Sequence, residues 1–279
     1  MSDDTVLAML SVRMSATALV LGALLLILRT RLSRTALRVG GVLGILLSIV
    51  FIFETFGIAM TSATNAGVII SLTIIITPVL ESAVIRRRLG MLFYFAGLLA
   101  VAGVYFLATG GGFTSFGVGD ILILVAAFAR AVHVTAMHRL SSGRRIDSLS
   151  LTFVQMLTCG IVFLALSSVW GVPSWVYALS LGPGLTAWMA YLVIVCTVFP
   201  FFIQMWAVRR TSPTRVSLLL GTEPVWAALI GVTIAGDRLG PAGIAGVVLV
   251  LIGTMWGQRL ELRTPRAAVA VAANEGEVL

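Results

Sequence analysis

TSPTRVSLLLGTEPVWAALIGVTIAGDRLG, residues 211–240, aligns without a gap with TSATNAGVIISLTIIITPVLESAVIRRRLG, residues 61–90. Thr61, Ser62, Thr64, Arg88, Leu89 and Gly90 recur as Thr211, Ser212, Thr214, Arg238, Leu239 and Gly240, and further on Gly103 recurs as Gly253. The identities fall mainly at the polar ends of two apolar runs, where hydrophobic bias does not produce them. Charge distinguishes the copies. The first has no basic residue before TSATN and three arginines behind its apolar run, whereas Arg209 and Arg210 precede TSPTR and only the Asp237/Arg238 pair follows. Opposite charged ends mean opposite orientations in a membrane, and inverted repeats of this kind are typical of secondary transporters.

Composition agrees with a membrane setting. Of the 279 residues 59% are hydrophobic and 11% charged, against about 25% charged in soluble domains, and mean hydropathy is +1.08. Apolar runs of membrane-crossing length, without the period-two alternation of barrel strands, predict an all-α polytopic bundle. Nine spans are expected: 5–28, 35–57, 62–84, 90–108, 118–138, 147–169, 185–207, 213–234 and 240–258. The first repeat is expected within 1–110 with four helices and the second within 111–258 with five, followed by a flexible tail over 259–279.

The formal net charge of +8 comes from arginine alone, since the chain has no lysine. Followed through nine crossings, every loop arginine except Arg238 falls on one side, which the positive-inside rule makes cytoplasmic. The expected topology places the carboxyl end in the cytoplasm and the amino end outside, in a cell or inner membrane. Alternation with helix parity excludes a nucleic-acid patch. Cys159 and Cys196 lie in apolar runs as small hydrophobes, and MSDDTVLAML lacks the basic start of a signal peptide. Neither a phosphate-binding glycine loop with its lysine nor a His/Cys metal spacing is present, so catalytic residues, metal ligands and cofactors are expected to be none.

The ordered motifs resemble those of the drug/metabolite transporter superfamily, in particular the EamA-type permeases. The small-polar turns TSATN and TSPTR, each opening an apolar helix, resemble that family's repeated helix pair, and Pro78 and Pro224 resemble its helix prolines, expected here as hinges. LLLGTEPVWAALIG is similar to its ninth helix, and FAGLLAVAGVYFLA and AGIAGVVLVLIGTMW to its fifth and tenth. SVRMSATALVLGALLLILRTR resembles the second helix, so the counterpart of 118–138 is expected to precede residue 1. The resemblance implies a permease moving an amino acid or related metabolite by alternating access. The competing expectation is a truncated, non-transporting membrane protein acting as partner or regulator. Expected partners are the lipid bilayer and a small-molecule substrate, with a homodimer as one assembly.

Ionisable groups inside spans face a cavity or a partner. Glu223 and Arg130 sit roughly 15–18 Å deep at 1.5 Å per residue, near midplane. Glu223 is read either as a gate, substrate or proton ligand at a bend made by Pro224, or as a carboxylate satisfied by a neighbouring helix. Arg130 either favours an anionic ligand or pairs with Glu223 or Glu54. His133 shares the face of Arg130 and either titrates or packs. Gln155 and Gln204 are costly to bury unpaired, and Trp226 lies deep enough to stack a substrate ring. Arg13 and Glu54 are expected to pair or to reach the outer interface, and Glu81 to form a solvated pair with Arg86, Arg87 or Arg88.

Overall fold

The structure, a computed structural model, describes residues 3–61, 63–85, 90–109, 117–144, 146–230, 232–233 and 240–263. Arg86 to Arg88, the GGG run at 110–112, Asp237 and Arg238, and the tail beyond 263 lie outside the described residues. The elements are α1 (Asp3–Ile27), α2 (Arg34–Met60), α3 (Ala63–Ser71), α4 (Thr73–Ile85), α5 (Met91–Thr109), α6 (Val118–Ser141), α7 (Ser148–Trp170), α8 (Ser174–Leu179), α9 (Pro183–Val193), α10 (Phe199–Arg210), α11 (Pro213–Leu220), α12 (Glu223–Ile230) and α13 (Pro241–Arg263). A π-helical stretch, Ile194–Val198, joins α9 to α10 in one continuous rod. Local chemistry sets several starts. Ser33, Asp147 and Ser212 accept from the amides of Ala36, Ser150 and Arg215, capping donors that lack a partner in the first turn. Pro183, Pro213 and Pro241 stand at first helical positions, where a missing N–H costs nothing.

Seven helical stretches among the described residues are long and apolar enough to cross a membrane, and Met91–Phe106 is a shorter apolar helix. The α11–α12 pair is the remaining expected span. Close glycine contacts fix relative directions and show that this pair crosses too. Gly40 and Gly44 of α2 meet Leu151 and Gln155 of α7 in ascending order, so those helices run parallel. Gly22 and Gly160 place Phe153 and Ser15 against α1 and α7 in descending order, which is antiparallel. Gly103 of α5 faces Gly246 and Val250 of α13, while Gly253 of α13 faces Ala96 and Ala100 of α5, again antiparallel. Antiparallel α5 and α13 need an even number of crossings between them. With α6, α7 and the α9–α10 rod accounted for, α11–α12 supplies the fourth.

The third span of the chain is not one helix, as expected over 62–84, but two, broken at Leu72. Its repeat counterpart breaks at Gly221–Thr222. The two joints share one hydrogen-bond pattern at an offset of 150 residues. Leu72 N donates to Ile69 O, and Ile75 N and Ile76 N to Leu72 O; Thr222 N donates to Leu219 O, and Val225 N and Trp226 N to Thr222 O. Hydroxyls compete for helix carbonyls at both, Ser71 and Thr73 reaching Val68 O and Ile70 O, and Thr222 reaching Leu219 O; such back-bonding weakens the helical ladder. The joints also touch. A Cβ on Gly221 would lie 2.5 Å from Ile74 Cδ1, so a methyl group here would require the Ile74 side chain to shift.

The interior is apolar and tightly packed. Met14, Leu21, Met156 and Phe163 centre one cluster between α1 and α7, Leu43, Met137, Leu151 and Met205 a second, and Ile74, Phe93, Ala100 and Leu218 a third around the touching joints.

Candidate functional site

Four helices bring charge into the apolar interior. Arg130 on α6 donates from Nη2 to Glu54 Oε2 on α2 at 2.6 Å, an ion pair with both side chains about three-quarters buried, at 29% and 23% exposure. This selects one of the alternatives open for Arg130. Glu54 was reached because the guanidinium is long: its Cα sits nearer the end of α2 than Arg130 does to the end of α6, and the side chain spans the difference. The expected pairing of Glu54 with Arg13 is replaced by a different arrangement. Arg13 donates from Nε to Thr197 Oγ1 at 2.7 Å and from Nη2 to Cys196 O at 3.2 Å. Both acceptors belong to the π-helical stretch, so Arg13 pins α1 to the widened turn between α9 and α10.

Glu223 opens α12 with an exposed side chain, yet it lies within electrostatic reach of Arg130 and Glu54. Pro224 follows in the first turn of α12, where its missing N–H has no helical acceptor to lose. The bend expected from Pro224 corresponds to a two-residue interruption of the helix at Gly221 and Thr222, between Leu220 and Glu223, where Thr222 N bonds three residues back instead of four. A carboxylate in the first turn of a helix is favoured by the positive end of its dipole. Pro78, by contrast, stands inside α4, beyond the joint at Leu72. The two prolines thus occupy different places relative to matching breaks.

His133 is 2% exposed and Gln155 fully buried. The two side chains are neighbours, with Gln155 beside the imidazole, but by distance and angle neither His133 Nε2 nor the amide nitrogen and oxygen of Gln155 has a protein partner. A buried hydrogen bond weakens steeply with misalignment. Arg130 Nε is also buried without a partner. Leaving such groups unsatisfied in a membrane interior costs on the order of 1–3 kcal/mol each. Their concentration beside the Arg130–Glu54 pair marks a place suited to a polar guest.

Trp226 is three residues beyond Glu223 on α12 and 60% exposed. Gln204 is half-buried on α10, which touches α6, α7 and α11. The structure brings Arg130, His133, Gln155 and Glu223 together with Glu54, which takes its place as the partner of Arg130, one of the pairings open to it, and not at the outer interface. Glu81 departs most from its expected role as a solvated pair. It is 8% exposed and accepts from the amide and hydroxyl of Thr214. A groove of about 740 Å³ between α1 and α7, lined by Leu19, Leu26, Phe153 and Ile161 among others, is apolar and includes none of these charged residues.

Comparison with known proteins places these features in a wider set. A family model described as EamA-like transporter family matches residues 1–109 and 117–256. An uncharacterized transporter of Archaeoglobus fulgidus is 26% identical over 215 residues, covering 76% of this chain and 66% of its own length. The uncharacterized transporter YcxC of Bacillus subtilis is 25% identical over 224 residues, covering 77% of this chain and 71% of its own. A second uncharacterized transporter of Archaeoglobus fulgidus is 23% identical, with 66% and 62% covered. The match thus spans just under two thirds of the length of both archaeal relatives. A solved crystal structure shares the fold, with a TM-score of 0.73 at 17% identity over 92% of this chain and 88% of that one.

Proposed function

The chain belongs to the EamA-like transporter family, and from that premise we propose that it carries a small organic solute, an amino acid or related metabolite, across the membrane by alternating access. Residues 1–110 and 111–258 form two inverted halves, with α13 running on to Arg263 where a tail was expected from 259. The reciprocal, antiparallel contact of Gly103 and Gly253 and the matching breaks at 72 and 221–222 support this division. The arginine distribution puts the carboxyl end in the cytoplasm of a cell membrane.

The observation that carries the reading is the cluster of buried polar atoms without protein partners, Arg130 Nε, His133 Nε2 and the Gln155 amide, beside a broken helix that presents Glu223. Discontinuous helices at the interface of inverted halves are where transporters of this architecture bind substrate. The pairing of Arg130 with Glu54 changes the charge balance expected from sequence. A lone Arg130 favours acids; a half-neutralised Arg130 facing a free-standing Glu223 favours a solute with both charges. In this reading the remaining Arg130 donors receive a carboxylate and Glu223 an ammonium, Trp226 and Gln204 line the approach, and Pro224 and Pro78 lie beside the parts that flex.

Counterflow in proteoliposomes tests this directly. Zwitterionic amino acids are expected to compete better than their decarboxylated amines or N-acetylated acids, and Glu223→Gln and Arg130→Gln are expected each to lower exchange by at least tenfold. Unaltered exchange in both variants removes the site assignment. Proton coupling through Glu223 adds a narrower expectation, that the exchange remaining in Glu223→Gln no longer responds to a pH gradient.

A further inference from the structure

We infer that Asp120 and Glu81 are reciprocal latches which close the two mouths of the transport path, each gripping the same turn of the opposite repeat; this rests on the two-half, alternating-access reading above. The turns are the ones that open the duplicated stretch, TSATN at 61–65 and TSPTR at 211–215. At the first, Thr61 donates from Oγ1 to Asp120 Oδ1 at 2.5 Å, and the Asn65 side chain reaches the same carboxylate. Asp120 Oδ2 also accepts from Gly117 N at 2.6 Å. At the second, Thr214 donates to Glu81 Oε2 from both N, at 2.8 Å, and Oγ1, at 2.6 Å. Glu261 of α13 steadies that turn by accepting from Ser212 Oγ at 3.2 Å and from Arg215 Nε.

Each carboxylate and its hydroxyl partner come from different halves. Thr61 and Glu81 belong to the first, Asp120 and Thr214 to the second. The latches also sit at opposite ends of the bundle, and α6 proves it. Asp120 is in its first turn, while Thr135, His138 and Arg139 near its other end border, with Glu81 and Pro213, a small cavity of about 130 Å³. Eighteen residues of helix separate Asp120 from His138, about 27 Å at 1.5 Å per residue, close to the thickness of a bilayer core. Arg130 and His133 lie between. Both latches are closed in this structure.

The chemistry suits a bond that must be firm when shut and easily released. The Thr214 amide stands in the first turn of α11, where helix geometry leaves it no acceptor, so Glu81 satisfies a donor that is otherwise orphaned, aided by the helix dipole. Once the mouth parts, water takes over both partners, and the cost of separation falls. The cavity beside Glu81 provides the route by which that water arrives. Closing one mouth while the other opens then exchanges one carboxylate grip for an equivalent one.

Sided labelling distinguishes a latch from a structural contact. A Thr222→Cys reporter beside the candidate site, in a background of Cys159→Ala and Cys196→Ala, is exposed to membrane-impermeant maleimide from each face of oriented vesicles. Glu81→Ala is expected to raise labelling about tenfold or more from the face bearing Glu81 only, the scale of losing charge-assisted hydrogen bonds from the shut state alone. Asp120→Ala is expected to do so from the opposite face only, and Glu81→Gln, which keeps an acceptor oxygen, falls between Glu81→Ala and the parent. Labelling that is unchanged, or raised from both faces or from the wrong one, overturns the latch. Should Glu81→Ala not fold, Thr214→Val removes the hydroxyl donor at nearly constant volume and gives the same readout. A cleavable thiol crosslink between Glu81→Cys and Thr214→Cys separates the two levels of inference: exchange that stops and returns on cleavage upholds alternating access whatever the labelling shows, and exchange that continues while crosslinked sinks alternating access, and the latch with it.

Discussion

Replacing Gly103 and Gly253 by alanine, singly and together, tests the contact on which the inverted arrangement rests. A Cβ on Gly103 would lie 2.5 Å from Val250 N and 2.7 Å from Gly246 O; one on Gly253 would lie 2.6 Å from both Ala100 N and Ala96 O. These are backbone atoms, which cannot swing aside. Ordinary contact begins near 3.4 Å, so α5 and α13 must part by about 0.9 Å for the first substitution (3.4 minus 2.5) and about 0.8 Å for the second (3.4 minus 2.6). Overpacking of this kind costs about 1–3 kcal/mol, offset by up to about 1 kcal/mol from the better helix propensity of alanine. Each single variant is therefore expected to lose roughly 1–2 kcal/mol in equilibrium unfolding by denaturing detergent, followed by helical circular dichroism. The double variant decides the matter. Because both methyl groups push apart the same helix pair, the second adds less than the first, with a coupling of at least about 0.5 kcal/mol. Gly41→Ala and Gly67→Ala, whose new Cβ meets nothing within 4 Å, serve as controls and are expected to be neutral or mildly stabilising. Fully additive losses, or a loss at one glycine without the other, refute the reciprocal contact.

Other substitutions reach the remaining joints. Glu54→Gln is expected to destabilise the protein by about 1–3 kcal/mol because it strands a partly buried guanidinium, less than the 3–5 typical of a fully buried pair; adding Arg130→Gln is expected to recover part of that loss in the same unfolding assay, and no recovery argues against the pair. Gly221→Ala is expected to lower the thermal midpoint by clashing with Ile74 Cδ1 and Cγ1, and Ile74→Ala, which deletes both atoms, to make the double variant lose less than the sum of the two singles. Arg13→Gln is expected to cost about 1.5–3 kcal/mol through its lost charge-assisted bonds to Thr197 and Cys196, and hydrogen exchange around 192–198 is expected to quicken; unchanged exchange there shows that Arg13 does not hold the π-helical stretch.

Much of the candidate site was visible in the sequence because charge inside an apolar run is rare and expensive. That criterion selected Glu223, Arg130 and His133, which the structure does assemble, and Gln155 by the cost of burying its amide. For Glu54 it left two arginines open, Arg13 and Arg130, and it misplaced Glu81. Depth along a residue's own helix does not say which helices lie alongside, and that is what chose Arg130 for Glu54. Glu81 stood next to three arginines in sequence, yet its oxygen turns to a threonine 133 residues away. Arg13 shows the same effect, since nothing local announces that its acceptors lie in the widened turn of a rod 183 residues further on.

Hydropathy, arginine placement and the gap-free repeat were sufficient by themselves to establish a helical membrane protein and to suggest two copies of opposite orientation. These properties depend on transfer from water to lipid and on charge at membrane surfaces, which each segment experiences independently of the others. Helix pairing, the interruption at Gly221–Thr222, the Arg130–Glu54 bond and the grip of Asp120 and Glu81 on the duplicated turns were decided only by the folded bundle. Lipid is as apolar as a leucine face, so hydrophobicity cannot say which helices meet; close packing at glycines and the satisfaction of buried polar groups do, and both require neighbours to be in place.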